Sequence, residues 1–200
     1  MIYITGDKHA DFYEVCCFCK KEKTNLSDLM IILGDAGINY FNDPRDYKLK
    51  KELSDCNITF FCVHGNHEER PEKIRTYKTK DFHDGIVYYE EEYPNILFAK
   101  DGEVYSLNNK SVLVIGGAYS VDKEYRIKYG YCWYETEQPD DDIKKRVFEV
   151  IKNNNDIDIV LSHTCPYKYM PREVFMAGVD QSKVDYSTEK FLDEVEKKLN

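Results

Sequence analysis

The chain has 200 residues, 42% of them apolar, and a formal net charge of −9. This length allows one compact domain over residues 1–200 with its own core, while the negative charge argues against a broad contact with a nucleic-acid backbone. The sequence contains no apolar run long enough to span a membrane, and its N-terminus lacks the pattern of a signal peptide, so we expect a cytoplasmic protein.

Runs of β-branched residues alternate with amphipathic helical patterns in the first third of the chain. The sequence predicts strands at 2–5, 29–33 and 58–63 and helices at 11–23 and 44–54, with a short helix near 69–76. Pro44 stands at the first turn of the second helix, where proline is favoured. This βαβαβ order predicts a parallel sheet.

The first of these helices contains three of the seven cysteines. Cys16, Cys17 and Cys19 raise the alternative of a metal cluster. Core packing is favoured instead, because Cys16 and Cys19 share helical spacing with Phe12 and Val15. The odd number of cysteines and the absence of zinc-ribbon spacing indicate reduced thiols.

The middle of the chain shows a different sequence pattern from the first third. Short strands are predicted near 86–89, 96–99, 103–107 and 111–116, and turn signals separate them, so we expect a second, more antiparallel sheet. Further along, the pattern predicts helices near 123–130, 140–153 and 188–199 and a strand at 157–161. The fold class is therefore α/β, with two sheets flanked by helices.

Four of the predicted strands end in polar residues that are typical metal ligands. In chain order these residues are Asp7 and His9, Asp35, Asn66 and His67, and His163. Ligands bind outside the carboxyl ends of the strands in an open parallel sheet, so we expect these side chains to meet in one crevice. Carboxylate, imidazole and amide ligands suit manganese, iron or zinc and argue against calcium or a sulfur cluster.

These motifs resemble those of the calcineurin-like metallophosphoesterases, and the wider context resembles small bacterial or phage members. The family pattern is D-x-H, G-D, G-N-H-[DE], H and finally G-H-x-H. It appears here as Gly6-Asp7-Lys8-His9, Gly34-Asp35, Gly65-Asn66-His67-Glu68 and Ser162-His163. The resemblance covers nearly the whole chain and implies an α/β/β/α sandwich.

The resemblance also implies a role for each matching residue. Asp7 and His9 would bind the first of two divalent metal ions, with manganese favoured. Asp35 would bridge the two ions, and Asn66 and His163 would bind the second. The nucleophile would be a metal-activated hydroxide.

Three residues are also expected to meet the substrate. His67 would contact the phosphoryl oxygen or protonate the leaving group, as befits a side chain that titrates near neutral pH. Asn66 lies beside it in the same motif. Arg70 would meet a substrate phosphate, or would instead pair with Glu68 or Glu69.

The sequence departs from the family pattern at three places, one of which is Ala10, where many members have glycine after D-x-H. It has no G-H-x-H, so we expect a C-terminally truncated chain that lacks its last strands and leaves a sheet edge uncovered. Ile38 stands where the protein phosphatases carry an aspartate that pairs with the catalytic histidine. This weakens the comparison with protein phosphatases in particular.

The functional prediction is a metal-dependent hydrolase of a phosphomonoester or phosphodiester. A small nucleotide diester is the favoured substrate, because the acidic surface argues against long polyanions. The alternative is a binding module that keeps the fold but has lost catalysis. Tyr119, Arg126, Tyr131 and Trp133 either line a substrate cleft or form an ordinary aromatic cap.

Overall fold

The computed structural model of the chain describes residues 1–154, 156–175 and 179–199. Its first three strands pair in parallel as predicted and are β1 (Ile2–Thr5), β2 (Leu29–Leu33) and β3 (Thr59–Val63). They are connected by α1 (Tyr13–Glu22) and α2 (Pro44–Ser54). The short helix predicted near 69–76 is a single 3-10 turn, Pro71–Lys73.

The first sheet is larger than the sequence predicts. Three more strands extend it, namely β4 (Lys78–Phe82), β5 (Gly85–Glu90) and β6 (Tyr93–Ala99), and the strand order is β1-β2-β3-β6-β5-β4. The assignment of 86–89 and 96–99 to a second sheet was therefore wrong, because β6 pairs in parallel with β3. β6 is buried along almost its whole length, as a central strand must be.

The second sheet has three strands. β7 (Val104–Leu107) and β8 (Lys110–Ile115) form an antiparallel pair, and β9 (Ile159–Ser162) joins β8 in parallel. The strand predicted at 157–161 thus belongs to this sheet, which corrects the expectation that all four ligand-bearing strands share one sheet. β9 and β1 are edge strands, and Ile159 and Ile4 on them are 42% and 58% exposed.

Apolar side chains fill three layers. Phe61 and Val114 belong to the core between the sheets, and Phe60 belongs to the core beneath α1 and α2. The outer face of the second sheet packs against α4 (Asp141–Asn153) and α5 (Ser187–Leu199). A short helix, α3 (Lys123–Tyr129), follows β8. This arrangement confirms the predicted α/β/β/α sandwich, and no helix in the described ranges is long and apolar enough to cross a membrane.

Candidate metal centre

The carboxylate of Asp35, directly after β2, lies at the middle of the centre. Its Oδ2 atom lies 2.8 Å from Nδ1 of His67 and 3.8 Å from Nε2 of His9. Its Oδ1 atom lies 3.7 Å from Nε2 of His163. One carboxylate therefore presents its two oxygens to imidazoles from three different loops.

Asp7 and Asn66 complete the cluster. The Asp7 carboxylate lies 4.0 Å from Nε2 of His9 and 3.7 Å from Nδ1 of His163. Oδ1 of Asn66 lies 2.8 Å from Nε2 of His163. The structure thus brings together the five residues predicted as ligands, along with His67, even though His163 comes from the second sheet.

Close backbone approach makes this geometry possible. A Cβ atom on Gly34 would lie 2.1 Å from Nδ1 of His163, and one on Gly65 would lie 2.1 Å from Oδ1 of Asp35. The backbone nitrogens of Lys8 and His9 donate to the Asp35 carbonyl at 2.9 and 2.8 Å, which ties the loop after β1 to the loop after β2. Two of the family glycines are therefore required by contact with the ligand side chains.

His163 makes a hydrogen bond through the ring nitrogen that does not face the cluster, as a ligand histidine usually does. Nδ1 lies 2.8 Å from the carbonyl oxygen of Leu33, to which it can donate, and metal-binding histidines commonly donate their other ring N–H in this way. With its proton on Nδ1, His163 turns a lone pair on Nε2 toward Oδ1 of Asn66 and Oδ1 of Asp35. Three acceptor atoms then face one another, an arrangement that a cation would stabilise.

Burial and charge set the protonation of the two central residues. Burial raises the pKa of Asp35, but the hydrogen bond with His67 and the electrostatic effect of the neighbouring imidazoles of His163 and His67 outweigh it and lower the pKa to about 2. Burial lowers the pKa of His67, but contact with Asp35 outweighs it and holds that pKa above its ordinary value. Asp35 is therefore ionised at neutral pH, as a ligand must be.

The donor set fits a divalent ion. Ligand atoms of His9, Asp35 and His67 lie within 4.8 Å of one another, and carboxylate with imidazole is the mixture that suits zinc, iron or manganese. The side chains of Asp7 and His9 are 54% and 55% exposed, whereas those of Asp35 and His163 are almost buried. The centre is therefore open to solvent on the side of Asp7 and His9.

Comparison with protein families agrees with this geometry. The model of the calcineurin-like phosphoesterase family matches residues 1–197. The chain belongs to the calcineurin-like phosphoesterase family. Members of this family are generally metal-dependent hydrolases of phosphate esters. A search of curated proteins finds no significant match.

The structure does not bring Arg70 into the centre. Its side chain is almost fully buried, with Nη1 2.5 Å from Oδ2 of Asp101 and Nε donating to the Thr136 carbonyl at 2.7 Å. The expected contact between Arg70 and a substrate is thus replaced by a buried ion pair. Neither alternative partner takes its guanidinium. Glu68 accepts from the backbone nitrogens of Gly37 and Gly65, and Glu69 accepts from the Thr136 hydroxyl and from the backbone nitrogen of Arg70.

Two functional candidates come from a part of the chain that sequence motifs did not single out as catalytic. Oδ1 of Asp122 lies 3.4 Å from Nε2 of His67, and Oδ2 accepts from Nε of Arg126 at 2.7 Å. Arg126 also donates to the hydroxyl of Tyr40 at 3.0 Å. Asp122 precedes α3 and looks in sequence like an ordinary turn residue, so only the fold reveals its contact with His67.

Proposed function

We propose that the chain is a metal-dependent phosphoesterase that hydrolyses a phosphomonoester or phosphodiester at a binuclear site. The observation that carries this proposal is the position of Asp35, whose two oxygens face separate groups of imidazoles. A carboxylate placed in this way would be able to hold two cations at once. Manganese is the favoured ion, with iron or zinc as the other choices.

The remaining ligands divide into two sets around Asp35. Asp7 and His9 would hold the first ion, and Asn66 and His163 the second. Bound cations would supply an activated water and would offset the charge of the phosphoryl oxygens. The contribution of the protein is to hold its acceptor atoms at fixed positions and to leave the side of Asp7 and His9 open for the substrate.

His67 would donate a proton to the leaving group. Its raised pKa favours a protonated imidazole near neutral pH, so the ring has a proton to give to the leaving-group oxygen. Asp122 would orient this ring, and Arg126 would hold Asp122 in place. Asn66 lies beside His67 and would contact the phosphoryl group.

The substrate we favour is small. A net charge of −9 makes long polyanions poor ligands outside a metal centre, so a nucleotide diester of low molecular mass is preferred. The proposed site of action is the cytoplasm. If the metal-loaded protein is inert toward both monoesters and diesters, the alternative of a binding module with this fold takes its place.

Hydrolysis of p-nitrophenyl phosphate and of bis-p-nitrophenyl phosphate with added manganese tests the proposal. We expect turnover of at least one of these esters, and we expect His67→Ala to abolish it while bound metal, measured by elemental analysis, stays unchanged. His83→Ala is the matched control, because His83 lies at an exposed turn between β4 and β5. Loss of metal together with activity in His67→Ala would make His67 a ligand instead.

A further inference from the structure

Two thiols lie in contact on the helical side of the first sheet. Sγ of Cys16, on α1, lies 2.8 Å from Sγ of Cys56, although the two residues are 40 positions apart in the chain. Cys56 lies between the end of α2 and the start of β3. A covalent S–S bond measures about 2.05 Å, so the two sulfur atoms need to move by less than about 1 Å to form one.

The pair is accessible to small molecules. Both side chains are only half-buried, and both line a cavity of about 330 Å³ to which Lys20 and Glu52 also contribute. Neither thiol takes part in the metal centre. Cys19 also lines this cavity but is buried, while the neighbouring Cys17 is exposed.

We propose that Cys16 and Cys56 form a reversible intramolecular disulfide when the protein meets a peroxide. The sulfur of Cys16 attacks one peroxide oxygen, the O–O bond breaks, and the products are a sulfenic acid and water. The sulfur of Cys56 then attacks the sulfenic sulfur, and the second water leaves with the Cys56 proton. Overall, two thiols and one hydrogen peroxide give one disulfide and two waters.

The environment of the two thiols indicates which one attacks the peroxide and which one attacks the sulfenic acid. Burial, followed by contact with Cys16, raises the pKa of Cys56 to about 12. Sγ of Cys56 also lies 3.9 Å from the carbonyl oxygen of Glu52, to which it can donate, so Cys56 is the thiol that keeps its proton. Cys16 is then the first nucleophile and Cys56 the resolving thiol. A resolving thiol already in contact also shields the sulfenic acid from further oxidation.

The bond would stabilise the part of the fold that carries Asp35. The closed loop contains β2, Asp35 and α2, and a crosslink restricts that segment in the unfolded chain. For a loop of this length we expect oxidation to raise the melting temperature by about 5–15 °C. The metal centre itself is not altered, because none of its side chains contacts either thiol.

The test is peptide mapping of the reduced protein after treatment with a stoichiometric amount of hydrogen peroxide. We expect the loss of two hydrogens in mass, one linked peptide pair joining Cys16 to Cys56, and full reversal by dithiothreitol. Cys17→Ser is the matched control and should form the same link. Cys16→Ser and Cys56→Ser should not form it and should instead gain oxygen at the remaining thiol.

The wild-type map alone decides the outcome, so a poorly folded variant does not weaken the test. Sulfinic acid at Cys16 without a link, a bond from Cys16 to Cys17 or Cys19, or six or more thiols still free at the end of the reaction would each overturn the proposal. A mapped link that leaves the melting temperature unchanged would overturn the stabilising role.

Discussion

Replacing the central carboxylate should destabilise the protein even without metal. In Asp35→Asn, the charge that contacts His67 and His163 is lost. The pKa of Asp35 is lowered from 3.8 to about 2 in the folded protein, and each unit of pKa corresponds to about 1.4 kcal/mol. The carboxylate therefore contributes about 2.5 kcal/mol at neutral pH. This is a substantial part of an unfolding free energy of typically 5–15 kcal/mol, yet the variant should still fold.

The sign of the pH dependence makes this prediction specific. Because the folded pKa lies below the unfolded one, the contribution is complete above about pH 4 and disappears as the pH falls toward 2. Urea unfolding of metal-free wild type and Asp35→Asn at several pH values measures it. Asp81→Asn, at an exposed position of β4, is the control and should resemble the wild type throughout. The reasoning is refuted if Asp35→Asn equals wild type at pH 7, or if the difference persists unchanged at pH 2.

Two further variants test the residues that support the centre. Glu68→Gln should lower the unfolding free energy by about 1–3 kcal/mol at pH 6, because an amide NH2 cannot accept from the backbone nitrogens that Glu68 binds. Burial and the charge of Asp35 raise the pKa of Glu68 to about 8. The unfolding free energy of the metal-free wild type should therefore fall between about pH 4.5 and 8, and the wild type should lose its advantage over Glu68→Gln in this range. Stability profiles of the two proteins that run parallel from pH 4.5 to 8 would contradict this. Asp122→Asn should reduce kcat by about 10- to 100-fold, less than the full effect of a general acid, with KM and metal content unchanged. Glu124→Gln, exposed on α3, is its control, and equal rates for the two variants would remove Asp122 from the mechanism.

The strands that carry the ligands were predictable because their signals are local. Continuous apolar runs mark β2 and β3, and within three residues of the end of each strand come a glycine and a potential ligand. Strand β4 was missed because its sequence, KTKDF, is mostly polar, as suits an edge strand. Charged edge strands lack the apolar alternation that identifies a strand in sequence.

Pairing and long-range contacts were not predictable from local patterns. Nothing in the composition of β6 or β9 indicates which sheet each one joins, because that choice depends on packing against distant strands. The same limit explains why the ion pair of Arg70 was not predicted, because its partner Asp101 lies 31 positions away. It also explains why the contact between Asp122 and His67 was not predicted, because the two residues meet only when the second sheet packs on the first.

Manganese binding tests the central claim most directly. Titration of the wild type with Mn²⁺, followed by the electron paramagnetic resonance signal of the free ion, measures how many ions the chain binds. We predict up to two ions per chain for wild type and for Asp81→Asn, and a loss of most of this binding in Asp35→Asn. If Asp35→Asn binds as many ions as wild type, with the same affinity, the cluster around Asp35 is not a metal centre.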